Sequence, residues 1–378
     1  MNYELLLKGG HVIDPAAGVN GPCDVAFASG RVAAVASSIP RDACRTVVDV
    51  SGRYVVPGLV DVHAHAFLAG HNLGIETDEA CRSSGVTTLV DAGSTGAATL
   101  AGLREYVVAR SETRVLAFLH IAAIGLVDLD IGEHCLLEYS DPDLAVSVGR
   151  EHRDLVVGIK VREQVEVVGA HGLEPLRRGL VAAEALGVPV MAHVNNPPAE
   201  YGDVLALLRP DDIVSHFLHG RGSGILDGES RIKAAVWEAR KRGVLFDVAH
   251  GRSHVNLRVA RAALAQGFYP DTISSDLTRG GRAGVVKDLP TTLSKFLSLG
   301  MPLADVVAAA TAAPARAIGR SGEIGTLRVG ASGDAAVFAL ESGSFVYHDT
   351  DGSSFEGETR WTPQLTVRAG RLSWQASV

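Results

Sequence analysis

The chain has 378 residues, 47% of them hydrophobic and 21% charged, which supports a large buried core and excludes a disordered chain. Its formal charge of −8 and its lack of a long basic run argue against nucleic acid as a main partner. The four cysteines, Cys23, Cys44, Cys81 and Cys135, are scattered with no CxxC spacing, which fits a reducing compartment better than a disulfide framework.

At the N-terminus, MNYELLLKGGHVIDP carries no basic segment ahead of an apolar one, and no later stretch approaches a membrane span. The expectation is a soluble, cytoplasmic protein with no membrane partner. Residues 1–57 read as short strands: YELLLKGGHVI, CDVAFASGRVAAVAS and RTVVDVSGRYVV combine β-branched residues with Gly, Asp and Ser punctuation. The same texture returns after residue 321, in GTLRVGASGDAAVFAL, SFVYHDTDG and LTVRAGRLSW. Residues 1–57 plus 321–378 are therefore expected to form one small β-sandwich domain built from both termini.

Between them, residues 58–320 alternate. Eight apolar runs end in polar residues: LVDVHAH (His63), TLVDAGS (Asp91), RVLAFLH (His120), VVGIK (Lys160), VPVMAH (His193), DIVSH (His216), VLFDVAH (Asp247) and TISSD (Asp276). Their mean spacing of about 30 residues is that of a βα unit. Segments such as GLEPLRRGLVAAEALG, SRIKAAVWEARKRG and NLRVARAALAQG carry apolar residues at helical spacing and stop at glycine. Near-continuous apolar strands imply a parallel sheet buried on both faces, and eight units imply an α/β (β/α)8 TIM-type barrel. In such a barrel the active site lies at the C-terminal strand ends, so these polar residues are expected to converge on one mouth.

His63 and His65 stand at i and i+2 on a strand and so point to the same side. A lone HxH is a weak signal. It gains weight because His193, His216 and Asp276 each end another expected strand, and imidazoles with a carboxylate suit a divalent transition metal or zinc. Lys160, at the end of GIK, would repel a metal as an ammonium. Desolvation favours its free amine, which can take up CO2 to give an anionic carbamate able to bridge two metals.

PGLVDVHAH, the lysine of GIKVR, MAH, VSH and SSDL, in that order, resemble the amidohydrolase superfamily. The resemblance covers nearly the whole chain. It implies that His63, His65 and Asp276 bind one metal, that His193 and His216 bind a second, both expected to be zinc, and that carboxylated Lys160 bridges them. FDVAHGRSHVNL, GFYPDTISSDL and DLPTTLSKFLSLGMPL most resemble the dihydroorotase-like deacetylases, which cleave N-acetyl or O-acetyl groups from small carboxylates. Arg252 and His254, in RSHVN, depart from that pattern.

The expected function is deacetylation of a small acylated carboxylic acid. Two metals would lower the pKa of a shared water toward neutrality, with Asp276 as general base and then acid. Arg162, His219, Arg221, His250 and His254 are the substrate-binding candidates, Arg162 because a guanidinium fork suits a carboxylate. Asn195 and Asn196 could donate to a substrate oxygen or simply form the turn before Pro197. Asp91 and His120 are expected behind the ligands, His71 at the surface, and His11, His134, His152, His171 and His348 without a role. TRGGRAGVVKDLP, after Asp276, reads as a lid. Cyclic-amide hydrolysis is the close alternative, followed by a mononuclear site and by a scaffold protein without catalysis. A homo-oligomer stays open.

Overall fold

The computed structural model describes residues 2–377. The N-terminal runs form β1 (Tyr3–Asp14), β2 (Val19–Ala28), β3 (Arg31–Ala36), β4 (Cys44–Asp49) and β5 (Tyr54–Pro57). The middle gives β6 (Leu59–Ala64), β7 (Val86–Gly96), β8 (Arg114–His120), β9 (Val156–Glu163), β10 (Val190–Val194), β11 (Ile213–Ser215) and β12 (Leu245–Asp247). The C-terminal part adds β13 (Ala335–His348), β14 (Ser354–Arg368) and β15 (Arg371–Gln375).

Strands from the two ends join in one eight-stranded sheet, ordered β15-β14-β13-β5-β1-β2-β3 with β4 also on β1, rather than in two separate sheets. The long β1 makes this arrangement by changing partner: Tyr3–Lys8 pairs with β4, and His11 and Val12 pair with β5. The change falls at Gly9, whose φ of +81° glycine adopts freely. Its missing side chain also leaves room for Ser51.

β6 to β12 form a curled, seven-stranded parallel sheet in strict sequence order. The core is split by this sheet. Val60, Val62, Val90, Phe118, Met191 and Ile213 pack together on one side, closed off by Ala315, Ile318 and Ile324. Ile159, Val161, Val190, Val214 and Phe246 join the apolar faces of the surrounding helices on the other. On β9, Gly179 of the helix Glu174–Leu186 lies directly against Val161. Lys160 and Arg162 therefore face the opposite way.

The eighth expected run is not a regular strand. Residues 272–277 make single parallel bridges, Thr272 to Asp247 and Leu277 to Ala64. Their backbone is nonetheless paired on both sides. His250 and Gly251 N–H donate to Ser274 and Ser275 carbonyls (3.1 and 3.0 Å), and Asp276 N–H donates to His63 O (2.7 Å). Asp276 has φ +47°, which breaks strand geometry at the residue the site uses.

The expected lid begins as a short helix, Arg279–Ala283, whose first turn is capped by Thr278 through Gly281 N–H. The β13–β14 hairpin reaches from the outer sheet to the start of the helix Leu257–Ala265. There Asp349 accepts from Leu257 N–H (3.0 Å) and Thr350 N–H donates to Val255 O (3.1 Å). This pins the loop that carries Arg252 and His254. No helix among the described residues is long and apolar enough to cross a membrane.

Candidate metal centre

Six chain segments deliver side chains to one cavity of about 280 Å³. His63, His65, Lys160, Arg162, His193, Arg252, His254 and Asp276 line it together with Leu73, Leu126, Leu129, Ser253 and Thr278. Asp276 Oδ1 lies 3.2 Å from His65 Nε2 and 3.8 Å from His63 Nε2. Lys160 Nζ is 3.0 Å from His63 Nε2. His216 is wholly buried behind the wall, its ring centroid 4.1 Å from that of His193 and 5.0 Å from that of His63.

The tautomers point lone pairs into this space. His216 Nδ1 donates to Ala249 O (2.8 Å), and His63 Nδ1 faces Asp247 Oδ2 (3.4 Å) and Ser215 Oγ (3.2 Å). A proton on Nδ1 leaves the lone pair on Nε2, which in His63 meets Lys160 Nζ. His193 Nε2 and His216 Nε2 are buried with no hydrogen-bond partner among the described residues. Burial holds His63, His193, His216 and His254 well below the usual histidine range, and nearby cations add to this. Neutral imidazoles with unspent lone pairs beside a carboxylate are a donor set that fits a divalent cation.

Potential ligand atoms lie within 4.8 Å of one another in two overlapping groups here: His63, His216 and Asp276, and His193, His216 and His254. His254 thus joins the histidine cluster, and not only the substrate side where the sequence reading put it. Its ring centroid is 4.0 Å from that of His216, and its Nδ1 meets Asn195 Nδ2 at 2.6 Å. Burial pushes Lys160 toward its free amine and pushes Asp276 toward its protonated form, each opposed by the other's charge. His216 and Asp276 both hold left-handed backbones, φ +69° and +47°, at a cost on the order of 1–3 kcal/mol each.

Asp91 sits behind the ligands as expected, and several further supporting residues were given no role from sequence. Ser94 Oγ is 2.9 Å from His65 Nδ1, and Asp91, at the end of the same apolar run, accepts from Ser94 and Ala66 N–H groups. Asp247 is gripped by Ser215, Thr272 and Ser274 hydroxyls. Its position at a strand end, like that of the ligands, was the available signal. Glu133, in a loop with no periodic pattern, is buried against Arg162.

Among the substrate candidates, Arg162 and His254 line the cavity, while His219, Arg221 and His250 do not. His219 is buried with Nδ1 taken by Arg221 N–H (3.2 Å), and Arg221 is exposed. His250 is held behind the wall, where Lys295 Nζ donates to its Nε2 (2.8 Å). Asn195 is buried and Asn196 turns outward to Glu166. His71 is buried rather than at the surface, because its Nδ1 accepts Leu73 N–H (3.1 Å) beneath the loop that follows β6.

The profile of the family described as "Amidohydrolase family" matches residues 54–372. The chain belongs to this family. Among its amidohydrolase relatives is a deacetylase of Agrobacterium fabrum, 36% identical over 340 residues that cover 89% of this chain and 83% of that one. A solved structure described as an adenine deaminase superposes with TM-score 0.93 at 30% identity, covering 99% of this chain and 100% of the other. Another, described as a dihydroorotase, gives TM-score 0.87 at 34% identity, covering 97% and 98%. The chain is a hydrolase of the amidohydrolase family, and its buried His and Asp groups are of the kind that hold a divalent metal centre.

Proposed function

We propose that this amidohydrolase is a binuclear, zinc-type hydrolase that removes the acetyl group from an N-acetyl or O-acetyl small carboxylic acid. The observation that carries the reading is the presence of Arg162 in the same cavity as His63, His65, Lys160, His193 and Asp276. A guanidinium there suits a substrate carboxylate, and a cavity of about 280 Å³ suits a small acid. Similarity to proteins named deacetylases supports the acyl chemistry.

In this reading residues 272–277 close the curled sheet into a (β/α)8 barrel, and the outer sheet forms a domain of its own. His63, His65, Lys160, His193, His216 and Asp276 would hold the two cations. Lys160 would do so as its carbamate, formed when the free amine adds CO2 and releases a proton. The bound cations supply Lewis acidity and lower the pKa of a coordinated water. The chain's own residues do the rest. Asp276 accepts a proton at Oδ1 or Oδ2 as water attacks the acyl carbon, then returns it to the departing nitrogen or oxygen. Asp247 and Ser215 fix the His63 ring, and Ser94 fixes His65. Leu73, Leu126 and Leu129 give the cavity an apolar wall that limits water.

Cyclic-amide hydrolysis is the second reading, favoured by the 34% identity to a structure described as a dihydroorotase. Metal content measured on protein purified without chelator, with bicarbonate present, tests the centre. Two equivalents per chain are expected. N-acetyl amino acids, O-acetyl hydroxy acids and cyclic amides are then compared side by side. Turnover confined to cyclic amides overturns the deacetylase reading in favour of the second. Protein without metal even after reconstitution overturns both.

A further inference from the structure

Behind the cavity wall lies a second group of titratable side chains. His120, at the end of β8, meets Glu133 and His134 from the following loop. All three are buried, with ligand-type atoms within 4.8 Å of one another. The spacing resembles a metal site, but the tautomer of His120 speaks against one. Its Nδ1 accepts Ala122 N–H (3.0 Å), so the proton of the neutral ring sits on Nε2. That Nε2 lies 3.4 Å from Glu133 Oε1, close to the carboxylate but without regular hydrogen-bond geometry, and with the proton on it this nitrogen is not a free ligand atom.

Glu133 has a second partner, Arg162. Nη1 of the guanidinium donates to Oε1 and Oε2 at 3.1 and 3.0 Å. This is not the two-nitrogen fork of a saturated ion pair. The carboxylate straddles one terminal nitrogen and leaves Nε and Nη2 without a partner among the described residues, while Arg162 lines the cavity. On the strand, Arg162 lies two residues beyond Lys160 and opposite His193 in the ladder. Its free edge is therefore held beside the histidine cluster. An unpaired guanidinium would be costly there, and Glu133 offsets its charge.

We infer that His120 and Glu133 act as a buried relay that positions Arg162 to receive the carboxylate of the substrate, making Glu133 a positioning residue for acid recognition. This rests on the reading of Arg162 in the proposed function. His120 packs against Glu133 with its Nε2 3.4 Å from the carboxylate, Glu133 fixes one end of the guanidinium, and the other end selects an anion over a neutral group.

The test is equilibrium titration with N-acetylalanine and with its methyl ester. It uses the metal-free protein and the metal-loaded D276N variant, in which turnover is slow. The parent protein is expected to bind the acid at least about tenfold more tightly than the ester, the scale of one charge-assisted pair. Arg162→Met should erase the preference. Glu133→Gln should cut it by about fivefold or more while leaving ester binding within about twofold, and Glu133→Asp, which keeps the charge, should cut it less. The double variant E133Q/R162M should match R162M alone. Equal losses for acid and ester in E133Q and E133D would make Glu133 merely structural and overturn the relay. An unchanged preference in E133Q with a lost one in R162M would overturn the relay alone. No preference in the parent protein, or none lost in R162M, would overturn the carboxylate role of Arg162 and the relay with it.

Discussion

Gly93 lies in β7 with φ +79°, and its α-carbon faces the stem of Lys160. A Cβ added there would come within 2.5 Å of Lys160 Cγ, 2.6 Å of Lys160 Cβ and 3.2 Å of His120 Cδ2. Gly93→Ala therefore carries two costs. The left-handed backbone costs an alanine roughly 1–2 kcal/mol. Overpacking against a stem that has no free space costs about 1–3 kcal/mol more. Relief is available only by moving Lys160, which would draw Nζ away from His63 Nε2, now at 3.0 Å. Gly52→Ala is the control, because Gly52 has φ +72° and open space around the Cβ position. It should show the backbone cost alone. The assay is the denaturant midpoint of both variants, with metal content measured on the same preparations. Gly93→Ala should be less stable than Gly52→Ala by about 1–3 kcal/mol and should lose metal, whereas Gly52→Ala should keep it. Equal destabilisation with equal, full metal content would refute the idea that Gly93 sets the position of Lys160.

Other substitutions probe the same centre. Lys160→Ala should lose metal and most activity, with partial recovery when a short carboxylic acid is added; full activity without the additive would remove the carbamate from the mechanism. Asp276→Asn should retain the circular dichroism of the fold while kcat falls by about 10²–10⁴, and a rate near that of the parent would place the proton acceptor elsewhere. Glu163 gives a stability prediction. It is fully buried, neither carboxyl oxygen has a hydrogen-bond partner of regular geometry among the described residues, and burial raises it to about 8. The folded state holds this proton where the unfolded chain has released it. The contribution is therefore complete below about pH 4.5 and lost as pH rises through about 8, on the order of 5 kcal/mol at about 1.4 kcal/mol per pH unit. Glu163→Gln keeps the shape without the charge and should gain on the parent from about pH 5 to about pH 8 in denaturation, then level off. A gap that does not change with pH would refute the raised value.

Local pattern carried much of this architecture. Apolar runs ending in polar residues at βα spacing marked the seven strands from β6 to β12 because burial on both faces demands such runs. His63 and His65 were legible as a pair because strand geometry repeats every two residues, and Lys160 and Arg162 share a side of β9 for the same reason. Tertiary structure decided what periodicity cannot encode. Residues 272–277 read as a strand, yet the backbone of Asp276 turns left-handed to present its carboxylate, a choice made by hydrogen bonds to β6 and to the chain beyond β12. Loops have no period, so nothing in the sequence distinguished His254, which enters the histidine cluster, from His219 and His250, which do not. Glu133 lies 29 residues from Arg162 and meets it only because β8 and β9 are neighbours. Which nitrogen of a buried histidine keeps its lone pair depends on a carbonyl, carboxylate or N–H brought from elsewhere in the chain, so the direction of each ligand was set by the fold and not by the residue's place in the sequence.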